Sequence, residues 1–508
     1  MAVLCNRISR RWRIATLIVL ILAVSGCSAA YAGRENATGK RAGRTEHAGK
    51  VFGGGRRSTT TTTTTTTIPA EPVGDQAGAA EAGATTTTDG TGGKSVGTTA
   101  PKPAPTAAPT TTRAPAATRT TAPTTTSPPP STSRAPASAA PTSRTPSGPT
   151  ISVTDFGAVP DDGRDDQDAI QEAIDSAPEG TTVLFPAGTY HHSHLLQVRT
   201  DRVALWGYDA ALVGTNREKH AIVLWGDYTS VVGLTISANP TGRLHAEDQM
   251  GISLHFTTGS VVRDTTVRNT SSAGIFIWGA SDYQILNNVV ENTMSDGIHS
   301  VGGARNGLVQ GNRLRNVGDD CFAVISYLSE RRMSGNITIR DNSCVGGKAR
   351  GISVVGGEDV RIENNTIEAS AAAGVYLASE DNYNTYGAHR VQVIGNRLIG
   401  VNTNSAIRHG AIFLWARSGS ATTSDGKSHS LQNHDILIQG NTIEGTVTGA
   451  AHIVGQGGDS VRVNFVGNRT SGGRHAYLEL RKDQYNQVDE QHDGDPVGDY
   501  VGNAAILP

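Results

Sequence analysis

ITIRDNSC (residues 337–344), VRIENNTI (360–367) and VQVIGNRL (391–398) are one short phrase written three times. Each is an apolar β run that reaches an asparagine and places an apolar or small residue two positions further on. The phrase recurs as ILNNVV (285–290), LVQGNRL (308–314), ILIQGNTI (436–443) and VNFVGNRT (463–470). In register the asparagines are Asn288, Asn312, Asn342, Asn365, Asn396, Asn441 and Asn468, never closer than 23 residues, with variable insertions beyond that floor. A second β run follows: GIHS (297–300), CFAV (321–324), GISVV (351–355), GVYL (374–377) and GAIFL (410–414), with GISLHF (251–256) and GIFIW (274–278) before them. Self-similarity at such a period marks a solenoid. Two or three short strands per coil, with asparagine at a bend, predict an all-β fold, a right-handed parallel β-helix. Strands of successive coils then pair in parallel, about 4.8 Å apart, and alternate side chains fill the bore. Asparagine suits the bend because it tolerates the left-handed region and can hydrogen-bond along a stack of its own kind. The lack of LxxLxL and of a helix in each unit excludes a leucine-rich repeat, and a sandwich would turn at shorter intervals.

An open solenoid end needs a cover, because a bare sheet edge invites aggregation. DDQDAIQEAIDSA (165–177) supplies one. Ala169, Ile170, Ala173 and Ile174 fall on one helical face. Asp165 reads as the N-cap, and Pro178 and Gly180 end the N-terminal capping helix. The stretch 153–190 as a whole, with DFGA, then DG, DD, AIQEAI and VLFPAGTY, resembles the opening of pectate-lyase-superfamily β-helix proteins. That resemblance implies the fold and leaves the chemistry open.

Outside the repeats the composition changes. A basic stretch (residues 7–13) precedes an apolar run (14–24) and Val24-Ser25-Gly26-Cys27. This order reads as a secretion signal, and the run is short of the roughly 20 residues a membrane span needs. VSGC resembles a bacterial lipobox, which implies lipidation of Cys27; the alternative is an ordinary signal peptide with an incidental cysteine. Residues 28–149 are rich in Thr, Pro, Ala and Ser, with nine consecutive threonines (59–67). They hold too little apolar surface to offset ordering entropy and read as a disordered stalk, spanning about 60 Å as a flexible coil. The expected organisation is therefore signal 1–27, linker 28–149, β-helix 150–481, and a polar tail or loose cap 482–508. The expected location is the extracellular face of a bacterial cell membrane, lipid-anchored and reaching into the wall, or alternatively secreted. The net charge is −2 and no basic face appears, so nucleic-acid binding has no support. No metal-binding spacing such as CxxC or HExxH occurs. Two cysteines fall in the folded part. Cys321 and Cys344 sit at different places in their coils, which favours two buried free thiols over a bridge.

With the second β runs in register, the residue before each reads Met250, Ala273, Asp296, Asp320, Arg350, Ala373, His409. Polar groups thus gather on successive rungs, with Asp319 beside Asp320. Alternation turns Ile298, Ile352 and Val375 inward, and His299, Ser353 and Tyr376 outward onto the same wall. Aspartate is a common turn residue, so each one alone reads equally well as turn decoration. Clustered carboxylates, however, push one another's pKa values apart, as a general acid and base require.

SDGI (295–298) and GDDCFAV (318–324), one coil apart, are similar to the NTDG and GDDCIAI pair of polygalacturonase-like glycoside hydrolases. The resemblance implies that Asp320 or its neighbour protonates the glycosidic oxygen, that Asp296 and Asp319 activate water, and that configuration inverts. Carboxylates one rung apart, near 5 Å by strand spacing, instead match the usual retaining geometry. Two departures stand out. Where the family has GHGI this chain has ARGI, placing Arg350 in the histidine's position. The family's RIK, which binds the substrate carboxylate, is missing; the corresponding coil carries Glu380 and Asp381. A neutral or differently charged glycan is therefore expected rather than a uronate. Further substrate contacts are expected from His299, Tyr376, Glu380, Asp381, His409, Trp278 and Trp415, alongside Arg350. Insertions at 325–336, 378–390 and 416–434 are expected to wall the cleft.

Three functions remain open. The first is a cell-surface glycoside hydrolase acting on an extracellular or cell-wall polysaccharide with no cofactor. The second is a polysaccharide lyase or epimerase of the same fold, with Arg350 as base and Ca²⁺ held by the aspartates. The third is a non-catalytic glycan-binding module.

Overall fold

The computed structural model describes residues 145–146, 148–404, 406–407, 409–446, 449–456, 460–472, 478–481 and 505–507. The signal, Cys27 and almost all of the Thr/Pro-rich stretch lie outside them, as does most of the 482–508 tail.

The chain winds as a right-handed parallel β-helix. Its strands form three parallel sheets of 12, 12 and 11 strands, and one two-stranded hairpin, Ser420–Thr422 with Ser428–Ser430, stands outside them. One coil illustrates the order: Gln284–Leu286 lies in sheet 1, Val289–Glu291 in sheet 2 and Ile298–Val301 in sheet 3. The bore is lined by the inward residues, among them Ile285, Val290 and Ile298, as alternation required. Each such side chain, fully buried, contributes on the order of 1.5–3 kcal/mol.

The repeated asparagines occupy the bend between sheets 1 and 2. Every one from Asn288 to Asn441 donates through Nδ2 to the Oδ1 of the next, at 2.8–3.0 Å. Division of labour at this bend differs from the sequence reading. The left-handed residue is the one before the ladder asparagine, for instance Asn287 (φ 56°), Asp341 (φ 55°) and Asn364 (φ 55°). The ladder asparagine itself supplies hydrogen bonds, not backbone tolerance.

The capping helix α1 runs Gln167–Ser176 and buries Ile170, Ala173 and Ile174 against the first coil. It starts one residue later than expected. Asp166, not Asp165, holds the N-cap position, and its carboxylate is engaged by the amides of Val159 and His191. Asp165 instead accepts the first helical N–H, from Gln167, at 3.2 Å. At the far end Ala505–Leu507 pairs in parallel with Leu478–Arg481, so part of the tail expected as a loose cap adds a last strand to sheet 3.

Cys321 and Cys344 are bridged, with Cα atoms 6.3 Å apart; the expectation of two free thiols is corrected. They do sit at different places in their coils, one just before a sheet 3 strand and the other within a sheet 2 strand. Both side chains point into the bore, where adjacent sheets converge within disulfide reach. Closing a loop of this length is worth about 3 kcal/mol in the chain-entropy account. Urea unfolding with and without dithiothreitol should show a lower midpoint under reduction; identical midpoints would refute a structural role for the bridge.

Candidate active site

The site is built on the outer face of sheet 3. Its strands are β1 (Ile252–His255), β2 (Ile275–Trp278), β3 (Ile298–Val301), β4 (Phe322–Ile325), β5 (Ile352–Val355), β6 (Val375–Ala378) and β7 (Gly410–Arg417). Register places Ser253, Phe276, His299, Ala323, Ser353, Tyr376 and Phe413 in one outward column. The turns entering sheet 3 carry Asp296, Asp320 and Arg350 on successive rungs, two residues ahead of the paired Ile298, Phe322 and Ile352. The turns leaving sheet 3 carry the long insertions, so the groove has acidic turns along one side and loops along the other. An apolar cluster lies on this outer face, including Val301, Ile325, Val355 and Tyr376, and Tyr327 of the loop after β4 packs against it.

One register assignment needs correction. Val375 pairs with Ile412, which puts Gly410 in the rung column and His409 one residue upstream. One extra residue, Ala411, separates Gly410 from the paired Ile412, whereas Gly374 directly precedes Val375. His409 still reaches the wall: its ring stacks 4.1 Å from Phe413 and 5.5 Å from Tyr376.

The three aspartates converge, with carboxylate oxygens within 4.8 Å of one another. Asp296 accepts the Asp320 amide at 3.0 Å, and Asp320 accepts the Arg350 amide at 2.8 Å. Each carboxylate thus caps the turn of the next rung, so turn decoration and site are the same arrangement. The second oxygen of Asp296 lies 2.6 Å from Nδ1 of His299. Arg243 pairs with Asp319 at 2.7 Å and also donates to Ser295 at 2.9 Å. The Arg350 guanidinium lies over the Tyr376 ring, 4.5 Å from its centroid, donates to Glu380 at 3.2 Å and stands 3.9 Å from Asp320. The Tyr376 hydroxyl donates to the same Glu380 oxygen at 3.0 Å.

These environments separate the carboxyls. Burial pushes Asp320 up to about 7; the nearby Arg350 opposes this, while Asp319 and Asp296 reinforce it. Burial and the Asp296 charge also raise Asp319, against the pull of Arg243. Asp296 goes the other way: burial acts against its charge, but His299 and Arg243 together hold it below the usual range. His299 is raised in turn, because the Asp296 charge outweighs its burial. One carboxyl therefore keeps its proton near neutrality beside another that stays ionised.

The remaining expected contacts divide. Glu380 joins the cluster through Arg350. Asp381 does not; Arg417 holds it at 2.7 Å while bonding Ser379 and Thr385, and its side chain is 65% exposed. Trp415 leans on Phe413, and Trp278 lies two columns along β2 from Phe276, toward the opposite edge.

Sequence reading missed Arg243 and Glu330. Arg243 lies in the turn entering β1, between Ser237 and Ile252, much longer than the equivalent turns of the next coils; that extra length at the acidic corner was the available signal. Glu330 comes from the loop after β4; burial raises its carboxyl to about 7, and it accepts the Gly302 amide at 3.2 Å.

A family profile described as a right-handed beta helix region matches residues 220–398. No curated protein sequence matches significantly. Solved structures do. The catalytic domain of a GH87 α-1,3-glucanase in complex with tetrasaccharides is 16% identical, with a TM-score of 0.52, over 66% of this chain and 69% of that one. The Yersinia enterocolitica family 28 exopolygalacturonase is 15% identical, TM-score 0.50, over 69% and 76%. The A-module of the Azotobacter vinelandii mannuronan C-5 epimerase AlgE4 is 19% identical, TM-score 0.50, over 67% and 99%. At these identities the likeness is one of fold.

Proposed function

We propose that this chain is a glycoside hydrolase acting on an extracellular or cell-wall polysaccharide, with Asp320 as general acid and Asp296 and Asp319 as the carboxylates that activate water. The observation that carries this is the convergence of three carboxylates, with oxygens within 4.8 Å of one another, in surroundings that push Asp320 up to about 7 and hold Asp296 below the usual range. Protonation of the leaving oxygen and activation of water by two carboxyls is the general chemistry of glycoside cleavage. Neighbours of the same fold that act on glycans support the substrate class. Surface anchoring through Cys27 and the Thr/Pro-rich stretch is part of the same proposal.

The lyase or epimerase reading is weaker on two counts. Arg350 would be its base, yet Asp320, Tyr376 and Glu380 together overcome burial and hold the guanidinium more firmly protonated than usual. The aspartates that would hold a cation already have Arg243 and Arg350 beside them.

The substrate is expected to be a neutral or differently charged glycan rather than a uronate, because the arginines nearest the aspartates and the loop of residues 378–390 are committed: Arg243 to Asp319, Arg350 to Glu380, Arg417 to Asp381. Mass analysis of products from wall glycans and from neutral and acidic polysaccharides tests the proposal. One water gained per broken bond supports hydrolysis, and unsaturated ends without added water refute it. The first-released anomer, followed by NMR, decides between the inversion implied by resemblance and the retention suited to such close carboxylates.

Arg350→Ala offers a sharper test of the electrostatics. Its charge is the largest influence favouring ionised Asp320. Without it the alkaline limb of kcat/KM should move to higher pH, by on the order of one unit. An unmoved limb would mean that another group sets it.

A further inference from the structure

Phe256 stands in a position that its neighbours give to glycine. Directly after β1, β2, β3 and β5 come Phe256, Gly279, Gly302 and Gly356, and all four have positive φ: 51°, 64°, 72° and 83°. A bulky side chain in that region is a genuine outlier, and such outliers persist where function uses them. Phe256 is 36% exposed. It lies across the next rung, where a Cβ on Gly279 would come within 2.4 Å of it, and it packs against Trp278 at 5.4 Å between centroids. Trp278 repeats the arrangement one rung on, lying across Gly302. Two aromatic rings thus form a stepped platform over a glycine floor. Arg332, from the loop after β4, borders it with its guanidinium carbon 5.8 Å from the Phe256 centroid.

We infer that Phe256 and Trp278 form a remote glycan subsite that stacks a pyranose ring of the bound polysaccharide, with Arg332 facing that sugar's hydroxyls. The inference rests on the glycan-hydrolase reading and extends it. Platform and acidic turn lie on opposite edges of sheet 3. From Asp296 to Val301, which pairs with Trp278, the strand advances five residues, or about 16 Å. A chain crossing the sheet between them spans several sugar units, so the subsite engages long substrates and not short ones. Its occupant is continuous with the glycan at the aspartates, which selects a sugar over any other apolar partner.

Phe256→Gly separates ligand binding from structure, because glycine suits this backbone better than phenylalanine. The variant should melt at a higher temperature than the parent while losing affinity for polymer. The probes are soluble α-glucan, β-glucan, galactomannan and arabinogalactan cast in native gels, with the Asp320→Asn protein as parent so that no cleavage intervenes. Retardation of the parent by one of them, reduced about tenfold in apparent affinity (a difference of about 1.4 kcal/mol) in the Phe256→Gly variant, supports the subsite. Equal retardation of both overturns the subsite alone and leaves the hydrolase reading intact. A parent retarded by none of the four overturns the subsite together with the neutral-glycan reading. In the active protein the same substitution should raise KM for polymer and leave turnover of the shortest cleaved oligosaccharide unchanged; equal effects on both lengths would also overturn it.

Discussion

Asp320→Asn should lower glycan cleavage by about 10³-fold, within the range that removal of a general acid produces, and leave KM near its wild-type value. Asparagine has the carboxyl's shape and keeps an oxygen to accept the Arg350 amide, now 2.8 Å from Asp320, so the turn survives and only the proton is lost. The pH profile carries the same information. With the Asp320 carboxyl held near 7, wild-type kcat/KM should fall as pH rises through about that value, because the acid must be protonated to act. The residual activity of the variant should lack that limb. A variant that cleaves at the wild-type rate would sink the assignment.

Stability moves in the opposite direction. The folded pKa of Asp320 is raised above its unfolded value of about 3.9. The folded state therefore binds more protons between about pH 4 and 7, and the wild-type protein loses stability as pH rises through that interval. Asparagine has no charge to bury. Urea midpoints of variant and wild type should lie close together near pH 4, and the variant should be the more stable at pH 8. Such an exchange of stability for function is what the proposed catalytic role of Asp320 would entail.

The fold was legible because its signal repeats. Seven asparagines at coil spacing and two β runs per coil leave few other architectures, and the bore, the outward wall and the rung column followed from a period of two. The aspartate cluster was legible for the same reason, since register converts a distance in sequence into one strand spacing. What was not legible lay off the register. The bridge between Cys321 and Cys344 crosses the bore between two different sheets, where a rung-by-rung alignment sees no contact. His409 slipped by one because the extra residue Ala411, at the start of β7, leaves the alternation from Ile412 onward intact. Arg243 arrives from an irregular turn entering β1, and Asp381 is drawn off by Arg417. A periodic reading places backbones well, but the choice among partners of a long charged side chain depends on loops that have no period.

Asn342→Ala should be the most destabilising of the substitutions considered. Asn342 sits in the middle of the ladder. Its Nδ2 donates to the Val309 carbonyl and to Asn365 Oδ1, both at 2.9 Å, and its Oδ1 accepts from the Asn312 amide and from Asn312 Nδ2, also at 2.9 Å. Alanine removes all four bonds and strands a buried amide and a buried carbonyl in the wall of the bore. Each buried polar group left without a partner costs about 1–3 kcal/mol, so a total loss of about 5 kcal/mol is expected. The damage should be local, because each coil of a solenoid touches only its neighbours. Hydrogen exchange should accelerate in Leu308–Leu314 and Ile337–Ile367 and stay unchanged around the capping helix Gln167–Ser176. Asp320 lies one coil from this bend, on a turn whose amide is held by Asp296, so cleavage should decline with the loosened coils. Uniform acceleration across the whole domain would mean that the ladder serves global cooperativity, and no acceleration at all would mean that the parallel strands alone hold the coils in register.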